Sequence, residues 1–196
     1  WQSWCHKTDR ELSDAEKRAL REQVDAQRKA RAADERKRRE AAATRASEII
    51  AKATPAIGEH PYIQRKGISP DGLLCSGNAL VIPVRDYVGR FHSAQFIHPD
   101  GSKKFLTGGA VAGHFYVLGA EAAIGPVVIG EGAATLATAH EATGWTAVVA
   151  FDAGNLLAVA RVWRQAWPQR AIVIAADDDW LTRDKKTGEL TNLGVN

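Results

Sequence analysis

Three apolar runs of this chain each end in acid. "VVIG" (127–130) is followed by Glu131, "TAVVAF" (146–151) by Asp152, and "AIVIAA" (171–176) by Asp177, Asp178 and Asp179. Carboxylates gathered at one edge repel one another unless some are protonated, paired with cations or coordinated to metal. Ligation by oxygen alone suits Mg²⁺ or Mn²⁺ rather than zinc. Asp177 and Asp179 are one residue apart, so an extended segment sends both side chains the same way, able to hold one ion or two adjacent ones. Taken by itself, "DDDW" reads more readily as an acidic turn. Glu131 at the end of a neighbouring strand argues for the ligand set.

Gly130-Glu131-Gly132 opens a helix after a strand, and Asp152 lies 20 residues past Gly132, as in the first half of a dinucleotide fingerprint. That reading fails at Thr135, which stands in the third glycine position. It also sets Glu131 against a pyrophosphate and leaves Asp177 and Asp179 unexplained. Cations that can meet phosphate lie upstream. Lys103-Lys104 follows the turn Pro99-Asp100-Gly101, Arg90 follows the turn at 86–89, and Arg65-Lys66 precedes Gly67. Lys103 is as readily an exposed charge that protects a sheet edge, and Arg65-Lys66 can simply complement a helix C-terminus. His92, His98, His114 and His140 have no metal-ligand spacing and read as structural or exposed. Asn155 reads as a helix cap, with orientation of a ligand as the alternative.

The acids need strands to carry them. "PVVIG", "TAVVAF" and "AIVIAA" alternate with the helical stretches "AATLATAHEATG" and "LLAVARVWRQAW", a pattern of βαβ units with a parallel sheet whose functional groups collect beyond the strands' carboxyl ends. Trp163 and Trp167, four apart, read as helix-face packing. Upstream, strands are expected at 79–85, 90–97, 103–106 and 114–118, forming one antiparallel meander. "HPYIQRKGIS" (60–69) is a short helix with Pro61 in its first turn and Gly67 at its stop. Residues 13–53 read as one helix of about 60 Å at 1.5 Å per residue, opened by the capping box Ser13-Asp14-Ala15-Glu16. The expected division is a charged helix at 1–54, a small antiparallel α+β part at 55–123, and an α/β domain at 124–196.

The net charge of +3 conceals an asymmetry: residues 1–54 carry 14 Lys and Arg against 10 acids, and residues 55–196 carry 12 against 13. The N-terminal surplus reads as a solvated helix face, with nucleic-acid contact as the alternative. No apolar stretch reaches the roughly 18 residues of a membrane span, and no signal peptide is recognisable, so a cytoplasmic location is expected. Cys5 and Cys75 read as reduced thiols, too isolated for a zinc site; Cys5-His6 is alternatively half of a metal site. A chain with no Met reads as part of a longer polypeptide.

"IGEGAATLA", "AFDAGNL" and "IVIAADDDW" together resemble a Toprim domain, the catalytic module of bacterial primases, type IA and II topoisomerases and some nucleases. Its signature is Glu-Gly after one strand and Asp-x-Asp after a later one. The stretches "YIQRKGIS", "LVIPVRDYVGR", "DGSKKFLTGG" and "HFYVLG", in this order, resemble the segment that precedes Toprim in DnaG-type primases. The likeness, over about 60–180, is to the Toprim primases of plasmids and phages, TraC-like proteins among them.

The resemblance implies a Toprim-like parallel sheet with flanking helices. It implies Glu131 as general acid/base and metal-associated group, with Asp177 and Asp179 as Mg²⁺ (or Mn²⁺) ligands. It sets Arg65, Lys66, Arg90 and Lys104 along a cleft with Lys103 beside it. The implied partners are a single-stranded DNA template, ribonucleoside triphosphates and a helicase domain or protein; the implied product is an RNA primer. One departure is Thr135, where DnaG primases carry a further Asp. A Toprim nuclease and a non-enzymatic nucleic-acid-binding module are the alternatives.

Overall fold

The computed structural model describes residues 13–120 and 124–176. It has an α/β architecture with a long N-terminal helix, an antiparallel sheet and a mixed sheet. Compact packing separates residues 1–38 from residues 39–196. Helix α1 (Asp14–Lys52) runs through both. Its start is the expected capping box: Ser13 N donates to Glu16 Oε2 at 2.9 Å and Glu16 N donates to Ser13 Oγ at 3.3 Å. Among the described residues of the first unit, 13–38, only Lys17, Leu20 and Val24 are half-buried and the others are exposed, on a stretch rich in strong helix formers. In the second unit Ala42, Ala43 and Ala46 are buried, and Arg45 Nη2 donates to Thr107 O at 2.8 Å.

The antiparallel sheet has the order β1 (Thr54–Pro55), β2 (Leu74–Ser76), β3 (Ala79–Arg85), β4 (Phe91–Ile97), β5 (Lys103–Phe105). Helix α2 (Pro61–Lys66) starts at His60, whose Nδ1 accepts from Tyr62 N, and stops at Gly67. The mixed sheet has the order β6 (Tyr116–Leu118), β8 (Thr146–Val149), β7 (Val127–Gly130), β9 (Ile172–Ala175), with α3 (Ala133–Thr143) and α4 (Ala153–Ala166) as the crossovers. Strands β8, β7 and β9 are parallel, as the alternation predicts, while β6 runs antiparallel to β8.

The expected four-stranded meander is therefore corrected. Residues 116–118 leave it and join the second sheet, after one bridge between Arg85 and Phe115. The burial pattern explains why. Tyr116 and Leu118 belong to one core and Phe115 and Val117 to the other, so this strand needs cover on both faces.

The mixed sheet separates two cores. Val128, Ala147 and Val149 pack with Leu136 of α3 and with Leu80, Ile82 and Ile97 of the antiparallel sheet. Val127, Ile129 and Val148 face the other way, against Val159 and Trp163 of α4. Trp163 is fully buried, whereas Trp167 is 37% exposed.

Candidate functional site

Parallel strands deliver their carboxyl ends to one edge. Gly130 pairs with Val149 of β8 and with Ala175 of β9, so Glu131, Ala150 and Ala176 leave the sheet side by side. Because β6 is antiparallel, its amino end, with His114 and Phe115, arrives at the same edge. The backbone continues to pair past the strands: Ala150 N donates to Gly130 O at 2.7 Å and Phe151 N to Glu131 O at 3.1 Å. Glu131 is half-buried there. Asp177 and Asp179 lie outside the described residues, as do Cys5 and His6. Among the described residues no group of three or more His, Cys, Asp or Glu is placed to hold a metal ion. Glu131, at a strand end and beside the backbone that leads toward Asp177, supplies an oxygen donor of the type Mg²⁺ takes.

The glycines flanking Glu131 have separate reasons. A Cβ on Gly130 would stand 2.6 Å from Leu136 Cδ2 and 2.7 Å from Ala175 O, so the glycine lets α3 and β9 close on β7. Gly132 is the N-cap residue of α3, extended at φ −97°.

Asp152, the acid that follows β8, has a structural task. It caps α4, its Oδ1 accepting from Asn155 N at 3.0 Å. The expected cap, Asn155, does something else. It is buried and works entirely on backbone: its Nδ2 donates to Val111 O, His114 O and Ala150 O, and its Oδ1 accepts from Gly113 N at 2.6 Å. Loop 111–114 is thereby stitched to the end of β8. Between Ala150 and Asp152, Phe151 adopts φ +75°, a left-handed conformation costly for an aromatic residue. In that posture its ring meets Phe105 of β5 edge-on, with centroids 5.6 Å apart. This contact brings the lysine-bearing strand to the Glu131 edge.

Lys103, Lys104 and Phe105 are all exposed at the sheet's margin. Lys103 pairs with Ile97 and Phe105 with Gln95, so these two share one side of β5 and Lys104 takes the other, opposite Phe96. Arg90 is exposed after a turn closed by Asp86, whose Oδ1 accepts from Arg90 N at 2.9 Å. Lys66 is exposed at the end of α2. Arg65 beside it donates from Nη1 to Pro99 O at 2.9 Å, and its guanidinium lies over the Tyr62 ring.

A histidine pair escaped sequence reasoning. His92 Nε2 lies 2.8 Å from Asp86 Oδ2, and the His92 and His114 rings stack with centroids 3.9 Å apart. With Asp86 ionised, His92 Nε2 carries the bonding proton. Burial pushes the His114 pKa down to about 4, with the nearby charges of His92 and Arg39 acting in the same direction and Asp86 against them. Asp86 itself is held below the usual carboxylate range, because the bonds from His92 and Arg90 outweigh its partial burial. Residues 86, 92 and 114 are too far apart in sequence to give a local signal.

Over 174 residues, 86% of its length, the chain is 38% identical to a protein named DNA primase TraC from Escherichia coli. A second protein of that name and organism is 37% identical over the same share of the chain. The chain spans 16% and 12% of the lengths of these two relatives, and is thus similar to a segment of each. No protein-family model matches the chain, and no solved structure matches it significantly.

Proposed function

We propose that this chain is the catalytic segment of a DNA primase of plasmid or phage type, built on a Toprim-like sheet. It joins ribonucleotides on a single-stranded DNA template. The observation that carries the reading is the meeting of an acidic strand-end edge with a cationic hairpin, Glu131 on one side and β5 on the other, joined through Phe151 and Phe105. The similarity to proteins named DNA primase supports the same chemistry.

In such a reaction a ribose hydroxyl forms a bond to the α-phosphorus of an incoming triphosphate, the bond to the β-phosphate bridging oxygen breaks, and pyrophosphate leaves. Glu131, Asp177 and Asp179 are proposed to hold Mg²⁺ or Mn²⁺, which when bound stabilises the attacking and leaving oxygens. Half-buried at the strand end, Glu131 can also accept the hydroxyl proton. Lys104, Lys103, Arg90 and Lys66 are exposed cations that can neutralise triphosphate and template charge. Phe151 and Asn155 touch neither substrate in this scheme. They keep β5 and loop 111–114 at the edge where the transfer takes place.

The test is ribonucleotide joining on single-stranded templates with Mg²⁺ or Mn²⁺, comparing the parent with Glu131→Gln and Asp177→Asn. Each variant is expected to lose activity by roughly 100-fold or more, the scale of a lost acid/base or metal-binding group. Parent-like rates in both would remove these residues from the reaction.

A further inference from the structure

We propose that Arg65 is a positioning residue for the lysine-bearing hairpin and that its neighbour Lys66 makes the nucleic-acid contact. The inference rests on the nucleic-acid reading above and divides a pair of adjacent cations whose roles sequence alone leaves undivided.

Arg65 stands in the last turn of α2, yet its guanidinium is engaged with a different element. Nη1 donates to Pro99 O at 2.9 Å, and the guanidinium carbon lies 5.6 Å from the centroid of Tyr62, itself only 3% exposed. Pro99 belongs to the turn between β4 and β5. That turn is closed by His98 N on Ser102 O at 2.9 Å, by Gly101 N on His98 O at 2.8 Å, and by Asp100 Oδ1, which accepts from both Ser102 N and Ser102 Oγ. The turn is shaped around the arginine: Gly101 has φ +89°, and a Cβ there would stand 2.8 Å from Arg65 Nη2. A planar fork that stacks on an aromatic face and reaches a carbonyl is something lysine cannot reproduce.

Directly after this turn come Lys103 and Lys104, and then Phe105, seated against Phe151. The short strand is therefore held at both ends, by Arg65 at its turn and by Phe151 at its far end. The Lys66 side chain has no such engagement: it is exposed, and among the described residues its ammonium has no hydrogen-bond or ion-pair partner. With four rotatable carbons and its head in water, it is suited to a point contact with phosphate.

Two readouts separate the roles. The first is the backbone amide NMR spectrum of the free protein for Arg65→Gln, Arg65→Lys and Lys66→Gln. The second is the salt dependence of binding to a fluorescein-labelled oligo(dT), because each cation that neutralises a single-strand phosphate contributes about 0.7 to the slope of log K against log salt. Both Arg65 variants are expected to shift the amides of residues 98–105 and to keep the parent's slope. Lys66→Gln is expected to leave those amides in place and reduce the slope by about 0.7. Unmoved amides in the Arg65 variants, or a slope reduced by Arg65→Gln as much as by Lys66→Gln, would overturn the positioning role. An unchanged slope in Lys66→Gln, or a parent that binds no oligo(dT) at any salt, would overturn the Lys66 assignment. The last result would also count against the nucleic-acid reading, while the amide shifts still decide the role of Arg65.

Discussion

Glu131 owes its place to its neighbours. Gly130 lets Leu136 of α3 and the Ala175 carbonyl approach to distances a side chain would forbid. Gly130→Ala is accordingly expected to destabilise the fold by about 1–3 kcal/mol, the usual cost of overpacking, read as a lower denaturation midpoint. A midpoint equal to the parent's would show that α3 and β9 yield freely. His114 gives a second residue-scale expectation. Its folded pKa of about 4 lies below its ordinary 6.5, so as the pH falls the unfolded chain takes up the proton first. Stability is therefore full above about pH 6.5 and declines toward pH 4. Melting temperatures across that window should show the decline, and His114→Phe, which keeps a ring beside His92 but cannot titrate, should flatten it. A variant as pH-sensitive as the parent would place the titration in another group. Of this scale the sequence disclosed the strand-end Glu131 and the exposed cations. It concealed the His92–His114 stack and the φ of Phe151, because both depend on how distant strands meet.

At the scale of elements, Asn155 is the joint. One buried amide, its two N–H groups shared among three carbonyls and its Oδ1 accepting from Gly113 N, fastens loop 111–114 to the end of β8. Asn155→Ala leaves Gly113 N–H and three carbonyls without this partner, an expected loss of about 3 kcal/mol given the cost of unsatisfied buried groups. Denaturant unfolding would measure it, and a loss below about 0.5 kcal/mol would mean that the loop keeps its place by other contacts. Strands 79–85, 127–130 and 172–175 and the helices between them were legible because apolar periodicity and glycine or proline stops agree there. The two- and three-residue strands β1 and β2 were not, since such short pairings leave no periodic trace. The destination of β6 was hidden for a different reason. Its own pattern, buried on both faces, names the kind of sheet it needs but not the neighbour it finds. Asn155 was misjudged as a cap because Asp152, three residues earlier, had already taken that place.

At the scale of the molecule, the antiparallel and mixed sheets share one core, in which Leu80, Ile82 and Ile97 pack with Val128, Ala147 and Val149. This shared core fixes where the β5 hairpin stands against the strand-end edge, and the Phe105–Phe151 contact lies at that junction. The excess of basic residues falls in 1–54, away in sequence from the acids that follow the parallel strands. No described helix is long and apolar enough to cross a membrane. The central claim, templated joining of ribonucleotides, is tested most directly by supplying the chain with Mg²⁺ or Mn²⁺, one labelled ribonucleoside triphosphate, and homopolymer single strands that do or do not pair with it. The expected result is labelled oligoribonucleotide on the complementary template alone, abolished by a chelator. Incorporation that ignores the template, or cleavage of the DNA with no incorporation, would contradict it.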